Sequence, residues 1–200
     1  MGLPKEDEVP LLLAQGSGVA YFDVFDSDRL SIGIFLMQKG MKLPLHDHPR
    51  MSVYSKVLFG QIKTTSYDWI DHPFVEIRKP LNTERWPARR CSEITSHART
   101  LDVDAVLPSE GNLHTIEALT TAAFIDVIGP PYDEHRQCTY YRILDPKELE
   151  HYQVPEAFNN DTNSDDDVVV WLAVDQPNFY CDHLPYEGPP VDDQLFDLQC

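Results

Sequence analysis

The fold class this sequence predicts is all-β, a sandwich or barrel of antiparallel strands, and three observations predict it. Apolar residues alternate with period two, or gather in short β-branched runs, in about nine segments. Clusters of Gly, Pro and Asp punctuate those segments as turns. No long amphipathic pattern of helical period competes with them.

In chain order the strands are expected over 18–25, 30–37, 51–59, 61–69, 88–97, 113–118, 122–128, 139–144 and 168–174. Turn signals separate them at Asp26-Ser27-Asp28, Lys39-Gly40, Gly60, the Pro-rich stretch 80–87, the stretch 108–111, and Gly129-Pro130-Pro131. Asp145-Pro146 has the form of an N-cap with Pro at the first helical position, so one short helix is expected over 147–152. Two segments, 71–87 and 158–167, look like insertions. The second reads Phe-Asn-Asn-Asp-Thr-Asn-Ser-Asp-Asp-Asp, too polar to pack, and is expected as a loop. It lacks the glycine turn and closing Glu of a calcium loop.

The 200 residues, 42% apolar, suffice for one core, so a single domain over 1–200 is expected. Lys and Arg number 16 against 33 Asp and Glu, a formal net charge of −17. That field repels nucleic-acid phosphate and anionic lipid, so neither nucleic acid nor membrane is expected as a partner; the chain is expected as a monomer. The four cysteines, Cys91, Cys138, Cys181 and Cys200, include no Cys-x-x-Cys pair, which argues against a disulfide framework or zinc ribbon. The first residues lack the basic start and apolar run of a secretory signal, so cytosol or nucleus is the expected location.

The strongest chemical signal is Leu43-Pro44-Leu45-His46-Asp47-His48-Pro49. Residues two apart on an extended strand share a face, so His46 and His48 present two imidazoles together while Asp47 points away. Two imidazoles are half a metal site, and taken alone they are equally well read as hydrogen-bonding histidines. A third, His114, follows Gly111-Asn112-Leu113 at the start of another expected strand. Imidazole suits Fe, Zn, Cu or Ni, so the ligand type alone does not select the metal. His72, His97, His135 and His151 read better as surface residues.

The spacing of Gly40, His46-x-His48, Gly60 and the later Gly-x-x-His resembles the two metal-binding motifs of cupins, with one departure. At the position where that motif carries a Glu ligand, this chain has Val53. The three-histidine variant of the pattern resembles the thiol dioxygenases. Within them the chain is similar to the 2-aminoethanethiol (cysteamine) dioxygenase and plant cysteine oxidase family. The stretches that carry the likeness are Leu43 to Pro49, Lys56-Val-Leu-Phe-Gly60, Gly111-Asn-Leu-His114, Phe124-Ile-Asp-Val127, Pro130-Pro-Tyr-Asp133 and Cys138-Thr-Tyr-Tyr-Arg142. The resemblance implies a cupin-like jelly-roll barrel and Fe(II) held by His46, His48 and His114. It also implies O2 as co-substrate, and as thiol cysteamine or the N-terminal cysteine of proteins and peptides. A role in oxygen sensing through the N-degron pathway would follow. Arg50 stands where relatives often have Gly, which bears on substrate preference.

Four further residues join the candidate site. If 113–118 and 122–128 form a hairpin, His114 lies directly opposite Asp126, whose carboxylate could accept from an imidazole or a substrate amine; otherwise Asp126 is a solvated strand charge. Tyr132, after two prolines, is either a pocket-bordering phenol, as the resemblance implies, or packing. Cys138 and Tyr140 share a strand face, and the resemblance implies a thioether crosslink between such a pair; a buried free thiol is the alternative.

In the expected reaction the metal-coordinated thiolate, with the amine beside it, takes both oxygens of O2 to give a sulfinic acid. Competing readings are a free-cysteine dioxygenase, another metal-dependent cupin reaction, and a non-catalytic cupin binding module.

Overall fold

The computed structural model describes residues 8–13, 16–70, 85–99, 102–149 and 168–191. Twelve strands and two short helices are present among them. The strands are β1 (Val19–Asp26), β2 (Ser31–Met37), β3 (Lys42–Asp47), β4 (Ser52–Phe59), β5 (Gln61–Trp69), β6 (Trp86–His97), β7 (Asp104–Val106), β8 (Leu113–Ala118), β9 (Ala122–Gly129), β10 (Tyr141–Ile143), β11 (Val169–Val174) and β12 (Asp182–Leu184). The helices are α1 (Val9–Leu13) and α2 (Pro146–Leu149). The expected insertion 71–87 lies mostly, and the expected loop 158–167 wholly, outside the described residues, as do His72, His151 and Cys200.

Two six-stranded sheets face each other, in the orders β12-β1-β2-β9-β4-β7 and β10-β11-β6-β5-β8-β3. This is the cupin-like, all-β barrel expected, antiparallel except that β12 runs parallel to β1. The inner faces follow the alternation of the sequence. Val19, Met37, Ala122, Phe124 and Val57 of the first sheet pack against Leu43, Ile62, Ile116 and Ala118 of the second. Alternate residues of the first sheet, Phe22, Ile34, Leu36 and Ala123, face outward and are covered by Val9 and Leu13 of α1. Burying the Val, Leu, Ile, Met and Phe side chains among these stabilises the barrel by about 1.5–3 kcal/mol each.

Most expected strands match to within two residues, but the β8–β9 pairing does not. β8 pairs with β3 and β5, whereas β9 pairs with β2 and β4. Residues 119–121 therefore form an arch that carries the chain from one sheet to the other, not a hairpin turn. Gly60 explains part of the geometry: at φ 75° it joins β4 directly to β5, and a Cβ there would collide with the carbonyl oxygen of Thr121 in the arch. The expected helix is present among the described residues as α2, which begins with Pro146 and the Asp145 cap, whose carboxylate accepts from Lys147 N at 2.9 Å; residues 150–152 lie outside the described residues.

Candidate metal centre

β3 and β8 lie side by side with His46 and His114 as direct cross-strand partners. A register shift between Leu43 and His46 sets that pairing. His48 follows the end of β3 and closes the group. One nitrogen from each of His46, His48 and His114 lies within 4.8 Å of the others, and the ring centroids are 4.6–4.9 Å apart. The rings are 9%, 3% and 3% exposed respectively. The expected ligand trio is thus brought together, and among the described residues no carboxylate joins it.

The local sequence folds this way because its polar groups find specific partners. Asn112 brackets His48: its side-chain oxygen accepts from His48 N at 3.2 Å, and its amide donates to His48 O at 2.8 Å and to Leu107 O at 3.0 Å. Asp47 points away from the trio, as the strand alternation requires, and is buried. It accepts from Thr139 N at 2.8 Å and from the Tyr141 hydroxyl at 3.0 Å, tying β3 to β10. Burial raises its carboxyl to about 6 despite those bonds.

The imidazoles are electrically neutral donors. Burial, with the field of His46 added, pushes His48 down to about 2; burial lowers His46, and burial together with His46 and His48 lowers His114 well below the ordinary value. Hydrogen bonds select tautomers for two of them. His46 Nδ1 donates to Pro44 O at 2.8 Å, and His48 Nδ1, 2.7 Å from the Tyr132 hydroxyl, donates to it while that hydroxyl donates to Asp47 O at 3.0 Å. Nε2 of each is left with its lone pair. Nε2 of His48 and Nδ1 of His114 are buried without a hydrogen-bond partner. Buried ring nitrogens without partners, in three imidazoles that each place one nitrogen within 4.8 Å of the others, are what a metal ion would satisfy, so the residues present fit a bound metal.

Tyr132 accordingly sits behind a ligand, where burial raises its phenol far above the ordinary value. The Cys138 thiol lies against the phenols of both Tyr132 and Tyr140, and burial, with Asp47 nearby, pushes it up to about 12. The Tyr140 ring is 6.1 Å from that of His46 and 6.5 Å from that of Phe179.

Asp126 is not opposite His114 within one sheet, which corrects the hairpin expectation. Each is four residues from its end of the arch, so the two face across the barrel from opposing sheets. Asp126 is buried at 6% exposure on the same face as Phe124, and the Ser55 hydroxyl donates to it at 2.5 Å. Burial raises its carboxyl to about 7, which sets aside the solvated-charge alternative. Arg50 is exposed and adopts φ 59°, the left-handed region, in the turn closed by Met51 N and His48 O at 3.1 Å. That conformation favours glycine, so turn geometry bears on the choice of residue here without invoking substrate.

Sequence reasoning missed Asn112, Tyr141 and Ser55. Only the inward strand parity of Ser55 offered a signal. No helix among the described residues is long and apolar enough to cross a membrane.

Comparison with known proteins agrees with this geometry. Human 2-aminoethanethiol dioxygenase is 31% identical over 189 residues, covering 86% of this chain and 68% of that protein. Plant cysteine oxidase 1 of Arabidopsis thaliana is 29% identical over 191 residues, covering 88% of this chain and 59% of that protein. Among solved structures, an RmlC-like cupin from Desulfovibrio desulfuricans aligns at TM-score 0.40 and 18% identity, over 57% of this chain and 84% of its own. The fold class rests on the strand pairing above, not on that alignment. The PCO_ADO family model matches residues 12–191, 180 of the 200 positions, and the chain belongs to that family.

Proposed function

We propose that the chain is a non-haem iron thiol dioxygenase. It adds both atoms of O2 to the sulfur of a 2-aminothiol, either cysteamine or the N-terminal cysteine of a peptide, giving the sulfinic acid. The observation that carries the reading is the trio of buried, neutral imidazoles with no anionic side chain among them. Similarity to proteins named 2-aminoethanethiol dioxygenase and plant cysteine oxidase supports the substrate class.

His46, His48 and His114 would hold the metal. When bound, Fe(II) supplies coordination of the thiolate and activation of O2. The balance is thiol plus O2 to sulfinic acid: sulfur gives four electrons, O2 takes them, and no external reductant is needed. The protein's part is positioning. The Pro44 carbonyl and Tyr132 hydroxyl hold the His46 and His48 rings in the tautomers that leave Nε2 bare. Asp126, across the barrel and oriented by Ser55, faces the substrate. Burial of all three rings keeps bulk water from competing for their lone pairs. A Cys138–Tyr140 thioether is part of the proposal, supported by their proximity, and intact-protein mass after turnover checks it.

The proposal extends to oxygen sensing through the N-degron pathway by a monomer of the cytosol or nucleus. The net charge of −17, which repels like copies and anionic surfaces, supports the monomer and the soluble location. The deciding experiment is product mass on a Cys-initiated peptide incubated in air with iron-loaded protein. A gain of two oxygen atoms on the first residue is expected; an unmodified peptide and unmodified cysteamine overturn the reading.

A further inference from the structure

A cluster of large rings lies on the face of the second sheet turned away from the trio. Tyr67 and Leu113 are cross-strand partners, each one residue from an inward position, Ser66 and His114, so both point away from the metal centre. Tyr141, Trp69 and Trp86 pack with them. Packing asks only that such side chains be apolar, and these three add a path.

Asp47, joined through the backbone to both His46 and His48, turns to this face and accepts from the buried Tyr141 hydroxyl at 3.0 Å. The Tyr141 ring meets Trp69 edge-on at 5.2 Å, and Trp69 meets Trp86 edge-on at 6.2 Å. Trp86, the first residue of β6, is partly exposed. Phenol and indole give up one electron far more readily than phenylalanine or aliphatic side chains. Electron transfer slows steeply with distance, so a row of near contacts carries charge in short hops where one long step would fail. The other tyrosines at the trio lead nowhere. Among the described residues the Tyr132 ring meets only His48, and the Tyr140 ring meets only His46 and Phe179.

We propose that Tyr141, Trp69 and Trp86 form a relay that carries an oxidising equivalent from the metal centre to the surface when peroxide or O2 is reduced there without a thiol. The inference rests on the iron-binding part of the reading above and goes beyond its chemistry, assigning a protective electron path to side chains outside the substrate pocket. The one-electron oxidant takes its electron from the Tyr141 phenol, whose proton shifts along the existing hydrogen bond to Asp47 Oδ2. Trp69 then returns an electron to Tyr141, and the proton returns with it. Trp69 is refilled by Trp86, which loses its indole N–H proton to solvent. Loss of that proton at the surface draws the charge outward. A soluble thiol or ascorbate restores Trp86 with one electron and one proton.

The test treats iron-loaded protein with hydrogen peroxide, without thiol, and locates added oxygen by peptide mass. In wild type the oxygen is expected on Trp86 with the ligand histidines spared, and freeze-quenched samples are expected to show a tryptophan radical by electron paramagnetic resonance. Trp69→Phe keeps a ring in the cluster and breaks the relay. It is expected to lose the Trp86 oxygen and to show instead a tyrosine radical, with oxygen on Tyr141, His46 or His48. Ascorbate is expected to erase the Trp86 oxygen in wild type and to leave the ligand damage of the variant in place. Damage distributed alike in wild type and Trp69→Phe overturns the relay. Equal oxidation of Trp86 with zinc in place of iron also overturns it, since that is attack from solvent. Should Trp69→Phe fail to fold, Trp86→Phe at the partly exposed end decides: oxygen stopping at Trp69 supports the relay, and an unchanged pattern elsewhere overturns it. Failure to oxidise any thiol sinks the dioxygenase reading alone, because the peroxide test needs only the iron; a protein that retains no iron overturns both.

Discussion

The two ends of the barrel interior are built from the same strands and differ in what two steps along each strand supply. On β8 the inward residues are Ala118, Ile116 and then His114; on β9 they are Ala122, Phe124 and then Asp126. Near the arch those positions are apolar and make the central core. At the far end they are equally buried but polar. Alternation and burial are the same throughout, so depth in the barrel does not distinguish core from site. What distinguishes them is whether each buried atom has a partner. The core end is complete by contact alone, whereas the other end leaves ring nitrogens unsatisfied and buries a carboxyl that accepts from the Ser55 hydroxyl.

The sharpest way to break that comparison is to exchange what each end loses. His114→Ala is expected to leave no retained metal and no measurable turnover, with the β-sheet circular dichroism of wild type. Metal analysis after gel filtration and an oxygen electrode read it; an iron-retaining, active His114→Ala removes the trio as the ligand set. Phe124→Ala, ten residues on and fully buried, is expected to do the converse. It should cost about 3–5 kcal/mol of stability, measured by denaturant titration, while the folded fraction still retains metal.

Much of this division was legible in the sequence. Period-two alternation placed β5 and β8 to the residue, and His46-x-His48 with His114 marked the trio. Strand pairing was not legible, because three residues between two strands serve a hairpin and an arch equally well, and local sequence carries no signal for which sheet a strand joins. That is why Asp126 was expected beside His114 in one sheet, whereas β8 and β9 belong to different sheets. Three strands were absent from the expected set: the edge strand β3, whose run is interrupted by Pro44, and β7 and β12, where three residues cannot display a period. Asn112 was invisible as a clamp because its partners, His48 and Leu107, meet it only after the chain has folded.

Smaller effects separate support from contact. Tyr132→Phe removes the hydroxyl that accepts from His48 Nδ1 and frees the ring tautomer. Metal retention or turnover is expected to fall about 10–100-fold, with stability little changed; a chelator-competition titration reads it. Asp126→Asn is expected to lower turnover with amine-bearing thiols and yet to raise the melting temperature at neutral pH. The sign follows from linkage. The folded carboxyl titrates near 7 and the unfolded one near 3.8, so between those values the folded state holds the extra proton and wild-type stability falls as pH rises. Asn cannot ionise. The melting-temperature advantage of the variant should therefore grow from pH 4 to pH 7 and level off above; a gap that does not change with pH contradicts the burial of an ionisable group there.

The smallest expected effect concerns the turn that links the trio to β4. Arg50 holds a left-handed backbone at φ 59° while the residue is exposed, so it is under backbone strain without the burial that would compensate. The left-handed conformation costs a non-glycine residue about 1–2 kcal/mol, and glycine's greater freedom in the unfolded chain gives back about 0.4–1 kcal/mol of that. Arg50→Gly should therefore stabilise the fold by about 0.5–1 kcal/mol, a small rise in melting temperature. If Arg50 acts only through the turn, KM for cysteamine and for a Cys-initiated peptide should both stay at wild-type values. A KM that changes for the peptide alone would instead make Arg50 a contact for residues beyond the substrate cysteine, and would extend the polar end of the barrel outward onto its rim.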